Sequence, residues 1–223
     1  MIRRFIDSSA ARVGVHTRAD GTPIITGYGA VFWNGTAGTE YVLWDDRWGR
    51  AVERILPGAF DGALSRPDDV RGLFNHDPNL VLGRTVAQTM TLSRDAVGLK
   101  YDIVPGEAST AKDVMAYIQR GDVSGSSFSF NIPNGGERWT GTKDAEGRRI
   151  EVREILAVEL WDVGPVTFPA YAGTSTGVRG MAPEEIAELR KAREAVELEA
   201  AEQQRRHPLV YQARARAVEL ESR

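Results

Sequence analysis

Ser126-Ser127-Phe128-Ser129-Phe130-Asn131-Ile132, together with the run at 151–168 that closes Glu159-Leu160-Trp161-Asp162-Val163-Gly164-Pro165-Val166-Thr167-Phe168, decides how the chain folds. Both stretches are dense in the aromatic and β-branched residues that fit a pleated, half-buried surface. Between them lies a polar, glycine-rich stretch, 134–149. A loop there can join two strands without a crossover helix, so the two stretches are expected to pair antiparallel. Both stretches are thereby read as strands of one sheet.

Upstream, Leu99-Lys100-Tyr101-Asp102-Ile103 alternates apolar with charged residues as a half-buried strand requires. Thr110 followed three residues later by Asp113 resembles a capping box, and Val114, Met115 and Ile118 form an apolar stripe that stops before Gly121. The pattern predicts a helix. A short helix is expected within Leu56–Leu64, where Pro57 and Gly58 precede apolar residues at helical spacing, and one or two strands within 14–33, around Pro23–Phe32. Downstream, Gly173-Thr174-Ser175-Thr176-Gly177 reads as a linker into a charged segment. Pro183, Glu184 and Glu185 open a helix expected to run to about Arg206, where Pro208 breaks it. The expected division is a domain at 1–178 and a charged helical extension at 179–223.

The length of 223 residues and the 42% hydrophobic content suffice for one sizeable core. A net charge of -3 gives no pull toward nucleic acid or an anionic membrane. No signal-peptide core follows Met1-Ile2-Arg3-Arg4, and no apolar run approaches the ~20 residues of a membrane span, so a soluble intracellular protein is expected. The absence of cysteine excludes disulfides, thiolate metal sites and a cysteine nucleophile.

Catalysis would then have to draw on three histidines, His16, His76 and His207. His76 stands out because Phe74-Asn75-His76-Asp77-Pro78 puts it in a polar turn directly after an apolar pair. Imidazole suits general-base work at neutral pH. In Gly121–Phe130, small hydroxyl residues interrupt a strand; they could simply hydrogen-bond their own backbone, or one of them could serve as a nucleophile once a histidine takes its proton. Residue types alone do not say which serine. Glu159 and Asp162 are carboxylates in an otherwise apolar strand and need a partner, either a surface arginine or the histidine. Strict alternation puts Asp162 with Val158 and Leu160 on one face and Glu159 on the other. Scattered histidines without ligand spacing give no metal motif.

Several segments in order resemble the prohead protease family of tailed phages: Gly27-Tyr28-Gly29-Ala30-Val31-Phe32, Ile55-Leu56-Pro57-Gly58-Ala59-Phe60, Phe74-Asn75-His76-Asp77 with Leu82-Gly83-Arg84-Thr85, Gly98-Leu99, Gly125-Ser126-Ser127-Phe128, and Leu160-Trp161-Asp162-Val163 with Val166-Thr167-Phe168-Pro169-Ala170. They span roughly 20–172. The resemblance implies His76 as base, Ser127 as nucleophile and Asp162 as third member, with Glu159 as the alternative. The chain departs from the family pattern at Gly164-Pro165, where a serine is common, and at Ser129, where glycine or alanine is common.

The resemblance further implies an α+β, mainly β fold, a barrel-like antiparallel or mixed sheet flanked by helices and related to the herpesvirus assembly proteases. It implies a serine endopeptidase without cofactor or metal. Its partners would be major capsid protein and scaffold segments, and the chain itself through autoproteolysis and a possible dimer, with no nucleic acid or membrane. The site of action would be the prohead interior in the host cytoplasm. Backbone groups beside Ser127, and Arg84, are candidate oxyanion donors. The alternative is a non-catalytic capsid assembly or scaffold-binding factor.

Overall fold

In the computed structural model, Leu99, Tyr101 and Ile103 are fully buried, and Lys100 and Asp102 between them are half-buried. The alternation read from the sequence thus faces one side of that strand to the core. The structure describes residues 1–46, 49–65, 69–145 and 147–168.

In chain order the strands are β1 (Ile2–Ile6), β2 (Gly14–Thr17), β3 (Pro23–Val31), β4 (Tyr41–Asp46), β5 (Gly49–Ile55), β6 (Arg71–Leu73) and β7 (Val81–Arg84). They continue as β8 (Met90–Arg94), β9 (Gly98–Ile103), β10 (Gly125–Asn131), β11 (Glu137–Lys143), β12 (Arg149–Ile155) and β13 (Glu159–Val166). The helices are α1 (Ser8–Ala11), α2 (Asp61–Ser65) and α3 (Ser109–Arg120). Gly121 ends α3 in the left-handed conformation, φ 84°, and donates its N–H back to Tyr117 and Ile118. The capping box does not form: the N-cap is Ala108, which has no side-chain cap, and Thr110 already lies inside the helix.

Three sheets result, ordered β1-β10-β13-β6-β7, β11-β12-β5-β4 and β2-β3-β9-β8. The antiparallel pairing expected of 126–132 with the later run is found between β10 and β13. The segment between them is not a plain loop, because it contains β11. The run 151–168 is not one strand either: β12 joins β11 and, in parallel, β5 in another sheet.

The expected barrel is corrected to open sheets, since none of the three closes on itself among the described residues. The physical reason is that β3 crosses β1, β10 and β13 face to face instead of pairing with them. Gly29 permits that approach, because a Cβ there would collide with Val163 Cγ2. Ile25, Leu99, Phe128, Phe130 and Val163 meet in the core between these layers. The chain divides into two units, Met1–Gly180 and Met181–Arg223. The helix expected from Pro183, and with it the extension at 179–223, lies outside the described residues.

Candidate active site

β10 sorts its serines by parity. Ser126, Phe128 and Phe130 face the core, where the Ser126 hydroxyl donates to Gly164 O at 3.1 Å and lies 3.3 Å from the Tyr101 hydroxyl. Burial pushes the Tyr101 hydroxyl above its ordinary pKa, so that group stays protonated there. Ser127 and Ser129 face the other way. All three serines are fully buried, yet each has a defined polar partner.

Asp162 reaches the same face through an irregularity in β13. Ser129 pairs with Asp162 but Phe130 pairs with Leu160, so Trp161 is an extra residue and the register shifts. Leu160 and Val163 both remain in the core, three positions apart, and Asp162 turns out of it. The alternation that grouped Asp162 with Leu160 therefore fails at this bulge. Glu159 pairs with Asn131 and falls on the same side as Asp162, but it is exposed.

His76 comes from the turn between β6 and β7. Asn75 and His76 both hold positive φ, 56° and 58°, a left-handed pair that costs side-chain-bearing residues energy and needs outside support. Asn75 supplies it. Its N–H donates to Pro165 O at 3.1 Å, its Oδ1 accepts from Thr167 N at 2.8 Å, and its Nδ2 donates to Thr167 Oγ1 at 3.0 Å. The turn is thus clamped to the end of β13. Gly164 completes the fit: a Cβ there would run into the carbonyl oxygen of Leu73, so the glycine that departs from the family pattern is required where β6 and β13 lie side by side.

The outcome is a chain of four side chains. His76 Nδ1 bonds Asp162 Oδ1, His76 Nε2 lies 2.5 Å from Ser127 Oγ, and Ser129 Oγ donates to Asp162 Oδ2. An ionised carboxylate only accepts, so Nδ1 carries the ring proton and Nε2 offers its lone pair to Ser127. Such an arrangement can remove the hydroxyl proton during attack and stabilise the imidazolium that forms. Ser129 is the contact that the sequence reading missed; it was noted only as a departure from the family pattern, and its place two residues after Ser127 puts it on the same strand face.

Among the remaining candidates, His16 is exposed on β2, and His207 lies outside the described residues. Arg84 is engaged by Asp69 through two bonds of 2.6 Å. Among the described residues no group of three or more His, Asp or Glu is gathered to hold a metal ion, and no helix is long and apolar enough to cross a membrane. In comparison with known proteins, a family model described as caudovirus prohead serine protease matches residues 11–189. No curated protein and no solved structure matches.

Proposed function

The chain belongs to the caudovirus prohead serine protease family, and from that premise we propose that it is an endopeptidase in which Ser127 is the nucleophile, His76 the general base and Asp162 the carboxylate that orients it. One observation carries the assignment: His76 bridges Ser127 and Asp162 with one ring nitrogen to each.

In the proposed reaction His76 Nε2 takes the Ser127 proton as Oγ bonds the peptide carbonyl carbon. The imidazolium then gives that proton to the departing amine nitrogen as the C–N bond breaks, leaving an acyl-enzyme. Water attacks the acyl carbon, His76 takes its proton, and Ser127 leaves with that proton restored. Asp162 fixes the ring tautomer and offsets the charge that His76 gains. Ser129 holds the second oxygen of Asp162. The substrates in this reading are extensions of the major capsid protein or scaffold inside the prohead, with self-cleavage and self-association part of the same proposal. Kinship in fold with the herpesvirus assembly proteases belongs to it too and carries no step. The 179–223 segment would be an appendage that contacts scaffold or is removed; a truncation near Val178 that still enters proheads would remove that role.

A second reading, a non-catalytic assembly factor, is favoured by one fact, the complete burial of Ser127. Co-expression with the major capsid and scaffold proteins separates the two. Intact masses should reveal a defined cleavage with the wild type that vanishes in both Ser127→Ala and His76→Ala, with rates lowered ~10⁴-fold or more. Identical masses in all three would support the assembly factor.

A further inference from the structure

Ser127 has no exposed surface at all. A serine that must touch a peptide carbonyl cannot act from there, so some neighbour has to move. His76 and Asp162 cannot move without dissolving the arrangement they form. β13 is an interior strand, paired on both sides. Among the described residues β1 is the edge of its sheet, with β10 as its one paired strand.

β1 lies directly over the site. Phe5 pairs with Ser127, so their side chains share a face, and the Phe5 ring meets the His76 ring edge-on, 5.9 Å between centroids at 87°. The carbonyl of Arg4 accepts from the Ser127 hydroxyl at 2.8 Å. A serine hydroxyl has one proton, so this carbonyl competes with His76 Nε2 for it. β1 therefore both covers the nucleophile and draws its proton away.

Two motions could open it. Lifting the whole strand would pull out Arg4, whose guanidinium is fully buried and bonds Glu53 at 2.6 and 2.9 Å, and would leave a buried carboxylate with one partner fewer. Turning one side chain gives up the edge contact of Phe5, which is half-buried, and leaves the Arg4 ion pair in place. The second motion costs far less. β1 also precedes the matched span of 11–189, so its cover is not part of what the family match supports.

Resting on Ser127 as nucleophile, we propose that Phe5 is a gate: its ring closes the Ser127–His76 pair, Arg4 anchors the strand that carries it, and an extended peptide enters where the ring swings out. The regulated form of this protein is then the closed one, and what opens it is a competitor for the Phe5 position.

A fluorophosphonate probe on the full-length protein tests this. Adduct formation is followed by intact mass for wild type, Phe5→Ala, Phe5→Leu and Ser127→Ala, with thermal melting alongside. Phe5→Ala is expected to label about tenfold faster or more than wild type, Phe5→Leu at an intermediate rate, and Ser127→Ala not at all. Equal rates in wild type and the Phe5 variants overturn the gate and leave the protease reading standing. An adduct absent from every variant, while Ser127-dependent capsid cleavage proceeds in co-expression, also overturns the gate alone; absence of both removes the two together. Should Phe5→Ala melt below the assay temperature, Phe5→Leu decides, and a rate equal to wild type rejects the gate.

Discussion

Two buried polar clusters flank β1 and β10, one on each face, and they differ in how their charges balance at rest. On the core face Arg4 bonds Glu53, Glu53 bonds Arg153 at 3.1 Å, and Arg153 bonds Glu137. Two cations meet two anions in this chain of ion pairs. On the opposite face Asp162 bonds the His76 imidazole and the Ser129 hydroxyl, and His76 in turn bonds Ser127. The carboxylate there is met by an imidazole and a hydroxyl, where Glu53 is met by two guanidinium groups. Burial of polar groups is common to both, and so it does not mark a reactive site. What sets the second apart is an imidazole held between a carboxylate and a hydroxyl, the arrangement on which the proposed reaction rests.

The comparison can be broken on the reactive side first. Asp162→Asn should keep the packing but reverse the donor pattern at Nδ1, lowering cleavage of the capsid or scaffold substrate by about 10³–10⁴-fold with little change in melting temperature. Glu159→Gln, measured in the same cleavage assay, should stay within about twofold of wild type, as suits a surface charge. A reversed outcome, with Glu159→Gln inactive and Asp162→Asn active, would move the third member to the residue that the structure leaves exposed.

On the balanced side the effect should fall on stability. Glu53→Ala leaves Arg4 and Arg153 as buried charges short of a partner, and denaturant unfolding should report a loss of about 3–5 kcal/mol. Cleavage per folded molecule should change little. If activity collapsed while the fold persisted, the two clusters would be coupled through β1 and the division drawn here would be wrong.

A smaller effect on cleavage than at Asp162 is expected at Ser129. Ser129→Ala removes one donor from Asp162 Oδ2, and a loss of a charged group's hydrogen bond of about 1.5–3 kcal/mol at most, more than a few-fold in rate only if it falls wholly on the transition state, sets the bound. Steady-state cleavage rates at matched protein folding would read it. A rate above wild type would mean that Ser129 holds Asp162 away from its best position.

Much of the site was legible because turn chemistry and residue scarcity are local. With no cysteine and few histidines, His76 in its Asn-His-Asp-Pro turn stood out as a candidate, although its role as base came from the family resemblance, and Gly125 before the serines marked where β10 begins. The Asp162 side was not legible by alternation. The extra Trp161 resets the pleat, and a bulge depends on the partner strand as much as on its own residues. The helix cap failed for a similar reason: Thr110 and Asp113 have the right spacing, but the helix starts before Thr110. The barrel that the resemblance implied is not found, because kinship of motifs says nothing about whether sheet edges meet, and here β3 packs against β1, β10 and β13 without joining them.

The sequence by itself determined a mainly β chain, the α3 helix ended by Gly121, and the residue types from which a serine, a histidine and a carboxylate could be drawn, because those depend on periodicity and on local backbone preference. Tertiary structure alone decided that Asp162 and not Glu159 lies behind His76, that Gly164 is needed against Leu73, and that Phe5 lies opposite Ser127 with its ring against His76. Each of these rests on contact between segments tens of residues apart, and such contacts are fixed only when the sheets pack.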